Sequence, residues 1–173
     1  YGSFKEVDVY NSAKALYFFS LGLPAFASIK VFSSFFFANK DTITPFYISL
    51  ISVILNIVIS IYFFRDIGFI IIPIATTISS WFNAITLFIF LRNQNLFKLN
   101  DIFFIKLFKI IFASVMMGLF FKYLILVFEN QLMYYYVFKS FYLILSAILA
   151  LIFYLLATYF IKAFNYKDLK LKY

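Results

Sequence analysis

The sequence predicts an all-α fold, a polytopic transmembrane helix bundle, on three observations. Of its 173 residues, 65% are hydrophobic and only 13% are charged, with a mean hydropathy of +0.99, which leaves too little polar surface to cover a soluble globule. Five apolar segments, at about 10–37, 44–64, 68–91, 103–128 and 134–163, are each long enough to cross a hydrocarbon core of ~30 Å at ~1.5 Å per helical residue. The runs are continuous, whereas membrane strands would alternate over ~10 residues.

The opening YGSFKEVDVYNSAKAL is polar and is expected to form an outer loop leading into the first span. NKDTITP then makes a cytoplasmic turn, in which Asp41 or Thr42 caps the next helix and Pro45 occupies its first turn, where no intrahelical N–H bond is lost. FRDIG is a short outer turn at Gly68, LRNQNLFKLND a longer cytoplasmic loop, and FENQLM an outer crossing. Residues 164–173 form a basic tail suited to anionic lipid. No linker divides the chain, so residues 1–173 read as a single transmembrane domain. The start at Tyr1, with no basic n-region before the first span, predicts a piece of a longer chain.

The net charge is +8, but the basic residues stand at the ends of spans rather than in one patch. Lys40, Arg92, Lys98, Lys106, Lys109, Lys162, Lys167, Lys170 and Lys172 fall on one side, and Lys5, Lys14, Arg65, Lys122 and Lys139 on the other. That asymmetry predicts a cytoplasmic C-terminus and argues against a nucleic-acid partner. The chain has no cysteine and no histidine, which removes disulfides, thiolate nucleophiles and the usual zinc and Ser/His chemistry. Asp66 and Glu129 lie at span ends, and no carboxylate pair sits inside a span. Neither an enzyme nor a cofactor or metal is expected.

Polar groups within the spans are the candidate functional residues, because each is costly in hydrocarbon. Gly22 and Pro24 interrupt the first span, where proline removes a backbone donor, and are hinge candidates. Lys30 needs headgroups, a wet cavity or a partner. Asn56 and Ser60 share a face of the second span, and Thr76, Ser80 and Asn83 make a stripe on the third. Two readings of these stripes stand: interhelical hydrogen bonding, at ~0.6 kcal/mol per contact, or the hydrophilic wall of a substrate cavity. In the last two spans, Ser114 with Gly118 and Ser146 with Ala150 have the small-xxx-small spacing that permits close helix approach.

YFFSLGLPAFASIKVFSSFFFANKDTITPFYISLISVILNIVIS, followed by IGFIIIPIATTISSWFNAITLFIFLRN, resembles the C-terminal part of the MurJ/MviN lipid II flippases, a MATE-like family of the multidrug/oligosaccharidyl-lipid/polysaccharide exporter superfamily. The resemblance rests on Gly22 followed by Lys30, the turn Asp41, Thr42, Thr44 and Pro45, then Asn56, then Ala75, Thr76 and Thr77. It is good over residues 8–92 and only hydropathic beyond them.

The resemblance implies a bundle of fourteen helices in two lobes, with these five spans as the last five: residues 1–92 would belong to the C-terminal lobe and 103–163 would form a terminal pair beside a lipid groove. It implies a multi-pass protein of the bacterial cytoplasmic (inner) membrane. The implied substrate is lipid II, a lipid-linked peptidoglycan precursor carried to the outer leaflet for cell wall synthesis. The implied partners are membrane lipid and the remaining N-terminal helices of the same protein. On that comparison Lys30 faces the inner half of a central cavity, Asn56, Ser60, Thr76, Ser80 and Asn83 are cavity candidates, and Ser60 stands where an acid would support a cation site. A flippase of another polyprenyl-linked glycan and a non-transporting assembly subunit are the alternatives.

The charge asymmetry yields a direct topology test. Single cysteines introduced at Lys98 and at Glu129 are expected to react with a membrane-impermeant thiol reagent from the inside and the outside, respectively. The opposite pattern would reverse the orientation.

Overall fold

A computed structural model describes residues 6–94, 101–133 and 137–162. Its helices are α1 (Glu6–Ala38), α2 (Ile43–Ile67), α3 (Ile71–Asn93), α4 (Asp101–Val127), a short α5 (Glu129–Leu132) and α6 (Lys139–Phe160). Lys5, Lys98 and the basic tail lie outside the described residues. Four apolar helical runs have the length and composition to cross a membrane: Val7–Ala38, Ile43–Asn93, Phe103–Val127 and Lys139–Phe160. The second is 51 residues long, about 76 Å at the α-helical rise and far beyond one crossing. A 3₁₀ turn at Gly68–Ile70 breaks it into α2 and α3. Gly68 adopts φ 72° there, a conformation open to glycine at little cost. The protein is thus a multi-pass helical membrane protein.

Two expected boundaries are corrected. The polar opening is helical from Glu6, not a loop, and α6 begins at Lys139 rather than at 134, with α5 occupying part of the expected outer crossing. The turn after α1 follows its chemistry more closely. The Asp41 N–H donates to the Phe36 carbonyl and the Lys40 N–H to that of Phe37, both at 3.0 Å, with Lys40 at φ 60°. This is a Schellman closure that carries a lysine where glycine is usual. Asp41, not Thr42, then caps α2, its Oδ1 accepting from the N–H groups of Ile43 and Thr44 at 3.1 and 3.0 Å. The Thr44 hydroxyl, followed by the Thr44 N–H, holds the Asp41 carboxyl below the ordinary carboxylate range. Pro45 is buried in the first turn of α2.

The described helices fall into two compact units, divided between Lys98 and Leu99. In the first, α3 packs against both α1 and α2, while α1 and α2 barely touch. Contacts fix the directions. Phe18 and Leu21 of α1 meet Thr77 and Trp81 of α3, and further along Phe32 meets Phe88, so α1 and α3 run parallel. Asn56 meets Thr76 whereas Ser49 meets Asn83, so α2 runs antiparallel to α3. At one end the three helices close over an apolar cluster of Phe36, Ile48, Leu87 and Leu91, with Ile29, Phe32 and Phe35 against it.

In the second unit, α4 packs against α6. Ser146 and Ala150 are buried as their spacing implies, but Ser114 and Gly118 are exposed, and α4 instead buries Ala113 and Leu124. Phe120 stacks on Phe153 with ring centroids 4.5 Å apart. A Cβ on Gly118 would meet nothing within 4 Å. Ser146→Leu is therefore expected to destabilise the detergent-solubilised protein by about 1–3 kcal/mol through overpacking, whereas Gly118→Ala leaves its melting temperature unchanged or slightly raised. Thermal melts of the two variants distinguish this contact face from the Ser114/Gly118 face.

Candidate functional site

Seven polar side chains of α2 and α3 converge on one groove. It has a volume of about 350 Å³ and is lined by Ser49, Ser52, Val53, Asn56 and Ile57 of α2, by Thr76, Ser79, Ser80 and Asn83 of α3, and by Phe26 and Ile29 of α1. Helical spacing explains the wall. Ser49, Ser52 and Asn56 follow at i, i+3 and i+7, and Thr76, Ser79, Ser80 and Asn83 recur within two turns, so each helix turns its set toward the other. The sequence reading had Asn56, Thr76, Ser80 and Asn83, and missed Ser49, Ser52 and Ser79. Their spacing relative to Asn56 and Asn83 was the available signal.

The hydrogen-bond pattern determines what the groove can offer. The hydroxyls of Ser52, Thr76, Ser79 and Ser80 donate to carbonyls of their own helices, those of Ile48, Thr76's neighbour Ile72 one turn back, Thr76 and Thr77. With those protons committed, the Thr76 and Ser79 oxygens can only accept, and the Asn56 Nδ2 donates to them at 3.1 and 3.2 Å. That fixes the orientation of the Asn56 carboxamide and leaves its Oδ1 as the remaining acceptor. Asn83 repeats the arrangement. Its Nδ2 donates to the Ser49 hydroxyl at 3.3 Å, while its Oδ1 is buried and has no partner. The groove is uncharged and presents oxygen acceptors.

The sequence candidates divide around this groove. Ser60 lies off it, its hydroxyl oxygen buried without a partner. Lys30 is exposed and is not a lining residue, although Phe26, one turn before it, is. Gly22 is buried where α1 packs tightly on α3: a Cβ there would lie 3.2 Å from the Thr77 Oγ1 and 3.6 Å from the Ser80 Oγ. Helix α1 continues unbroken through Pro24. The carbonyls just before Pro24 are claimed by α3, with the Thr77 hydroxyl donating to Phe18 O at 2.7 Å and the Trp81 indole to Leu21 O at 3.0 Å. Pro24 withholds the N–H that would reach the Ser20 carbonyl, whereas the Phe18 and Leu21 carbonyls lie one turn before Gly22 and Ala25, so the Thr77 and Trp81 bonds add to the helix rather than repair it. Neither Thr77 nor Trp81 was singled out as a donor from sequence, because their partners are backbone atoms.

Gly22→Leu is expected to force α1 from α3, break the Thr77 and Trp81 bonds and cost about 1–3 kcal/mol. Gly22→Ala should cost less, because only the Thr77 hydroxyl and the Phe26 ring must yield. Loss of tryptophan fluorescence shift at Trp81, the only tryptophan, together with a lowered melting temperature, would report the separation.

The family model for Lipid II flippase MurJ matches residues 1–147. A probable lipid II flippase MurJ of Rickettsia prowazekii is 36% identical over 120 residues, covering 68% of this chain and 23% of that protein. Its counterpart in Buchnera aphidicola subsp. Schizaphis graminum is 31% identical over 125 residues, 69% of this chain and 23% of that protein. The counterpart in Thermotoga maritima is 31% identical over 118 residues, covering 68% and 23%. The chain thus spans about a quarter of the length of these relatives, and over most of its own length, including both walls of the groove, it belongs to the lipid II flippase MurJ family.

Proposed function

We propose that this chain is part of a flippase that moves lipid II, the lipid-linked peptidoglycan precursor, from the inner to the outer leaflet of the bacterial cytoplasmic membrane. The observation that carries the reading is the continuous family match over residues 1–147. A polar groove in an otherwise apolar helix unit supports it. The transported headgroup is large and anionic, so its passage requires a wet path through the bilayer, and no covalent step is needed. Alternating access between two lobes accomplishes that without catalysis.

In this reading α1, α2 and α3 belong to one lobe, and α4 with α6 presents an apolar surface to a polyprenyl chain. Lys30 contributes cationic charge to the inner half of the cavity, where a diphosphate enters, and its exposed position on α1 leaves the ammonium accessible. The Asn56, Thr76, Ser80 and Asn83 wall supplies hydrogen-bonding surface, while Ser60 adds no charge. The turn of Asp41, Thr42, Thr44 and Pro45 fixes the entry of α2, and Gly22 with Pro24 is where α1 would flex.

The test is complementation by the full-length protein in a bacterium depleted of its own lipid II flippase. Growth is expected with the wild-type protein and with Lys30→Arg, with at least a tenfold loss of colony formation for Lys30→Glu at equal membrane abundance. No rescue by the wild-type protein, alongside export of a different polyprenyl-linked glycan, would favour the related transporter. Full rescue by Lys30→Glu would remove Lys30 from the substrate path.

A further inference from the structure

The first unit holds two unmatched groups, one on α1 and one on α3. Asn83 is only 8% exposed, lines the groove, and keeps a buried Oδ1 with no hydrogen-bond partner. A buried acceptor left unpaired is costly and calls for a donor. Its own Nδ2 donates to Ser49; turning the carboxamide over would let the Ser49 hydroxyl donate to Oδ1 but would leave the Nδ2 without that partner. In the orientation the structure has, the missing donor must come from elsewhere.

Lys30 is the cation whose place on α1 suits that need. Its ammonium is exposed and makes no hydrogen bond or ion pair with the described residues. The parallel register of α1 and α3, set by the Phe18–Thr77, Leu21–Trp81 and Phe32–Phe88 contacts, puts Asn83 level with the stretch of α1 around Phe26. Lys30 follows Phe26 by one turn and therefore shares its side of the helix. Phe26 lines the groove. Side chains on a helix lean toward its N-terminus, so a lysine covers the surface about one turn before its own Cα. The offset is about 6–7 Å along the axis, and the four-carbon stem of lysine spans roughly the same distance.

We propose that the groove is a docking site for the Lys30 ammonium, with Asn83 Oδ1 as its principal acceptor. Lys30 then has two positions, one folded back into the groove and one extended as the structure shows it. The folded-back position pairs a donor that has three N–H bonds to give with a wall rich in acceptors, and it covers the apolar stem with Phe26. A neutral carboxamide holds an ammonium less strongly than an anion does, so an anionic headgroup arriving beside α1 would draw the lysine out. That release rests on the transport reading above; the docked position does not, and can be tested alone.

The measurement is the acylation rate of each lysine in the membrane-embedded full-length protein, read by mass spectrometry, with Lys14 and Lys40 as references in the same molecule. Asn83→Leu removes the acceptor and is expected to raise the Lys30 rate at least threefold relative to both references. Asn83→Asp turns the acceptor into an anion and is expected to lower it at least threefold. The Asp variant keeps the shape of the site and decides the matter if Asn83→Leu fails to accumulate. An unchanged Lys30 ratio in either variant that reaches the membrane overturns the proposal.

Discussion

Within hydrocarbon no water is available to satisfy a stray polar group, so each polar side chain must find its partner inside the protein. In residues 6–94 that requirement is met largely through α3. It gives Thr77 and Trp81 to carbonyls of α1 and receives the amide protons of Asn56 on Thr76 and Ser79. Because the helix is flanked on both sides, α1 and α2 need little contact with each other, and the space left between them is the groove. Individual interhelical hydrogen bonds contribute only ~0.6 kcal/mol. Their larger effect is on register, since a shift of one turn in either neighbour would orphan several groups at once.

Gly22 and Pro24 take part in the same constraint. A glycine lets α1 approach until Thr77 lies in contact, and Thr77 and Trp81 then reach the Phe18 and Leu21 carbonyls before it. Gly22, which interrupts the helix on paper, is thus a residue that brings it against α3. Helix α1 touches α3 on both sides of Pro24, through Phe18 and Leu21 before it and Phe32 after it, so bending at Pro24 independently of α3 would break one set of these contacts. Any flexing of α1 is expected to carry α3 with it.

Much of this was legible in the chain, and the gaps have physical causes. Long apolar runs identified the helices, and NKDTITP declared its turn through an aspartate able to cap and a proline confined to a first turn. The meeting of Asn56 with Thr76 followed from their places on successive spans. The helical stretch from Glu6 was missed because hydropathy marks where a helix enters lipid, not where it begins. Ser49, Ser52 and Ser79 were missed because a serine that bonds to its own helix is indistinguishable in sequence from one that lines a cavity. On α4, Ala113 and Gly118 are both small, and spacing alone could not tell which face would meet α6; the packed unit buries Ala113, as it does Ser146 and Ala150, and leaves Gly118 exposed.

The groove's lack of charge is as informative as its polarity. An ionised carboxylate between α2 and α3 would hold a cation firmly, and a buried pair would resist separation. Carboxamides and hydroxyls bind any one donor weakly, and with the hydroxyl protons of Ser52, Thr76, Ser79 and Ser80 turned back onto their helices, the wall favours donors without committing to a particular one. Such a surface can be wetted or vacated at low cost. That suits a wall in a protein whose helices must rearrange around a polar passenger, because a site that gripped its occupant strongly would lower the energy of one conformation and so raise the barrier to leaving it.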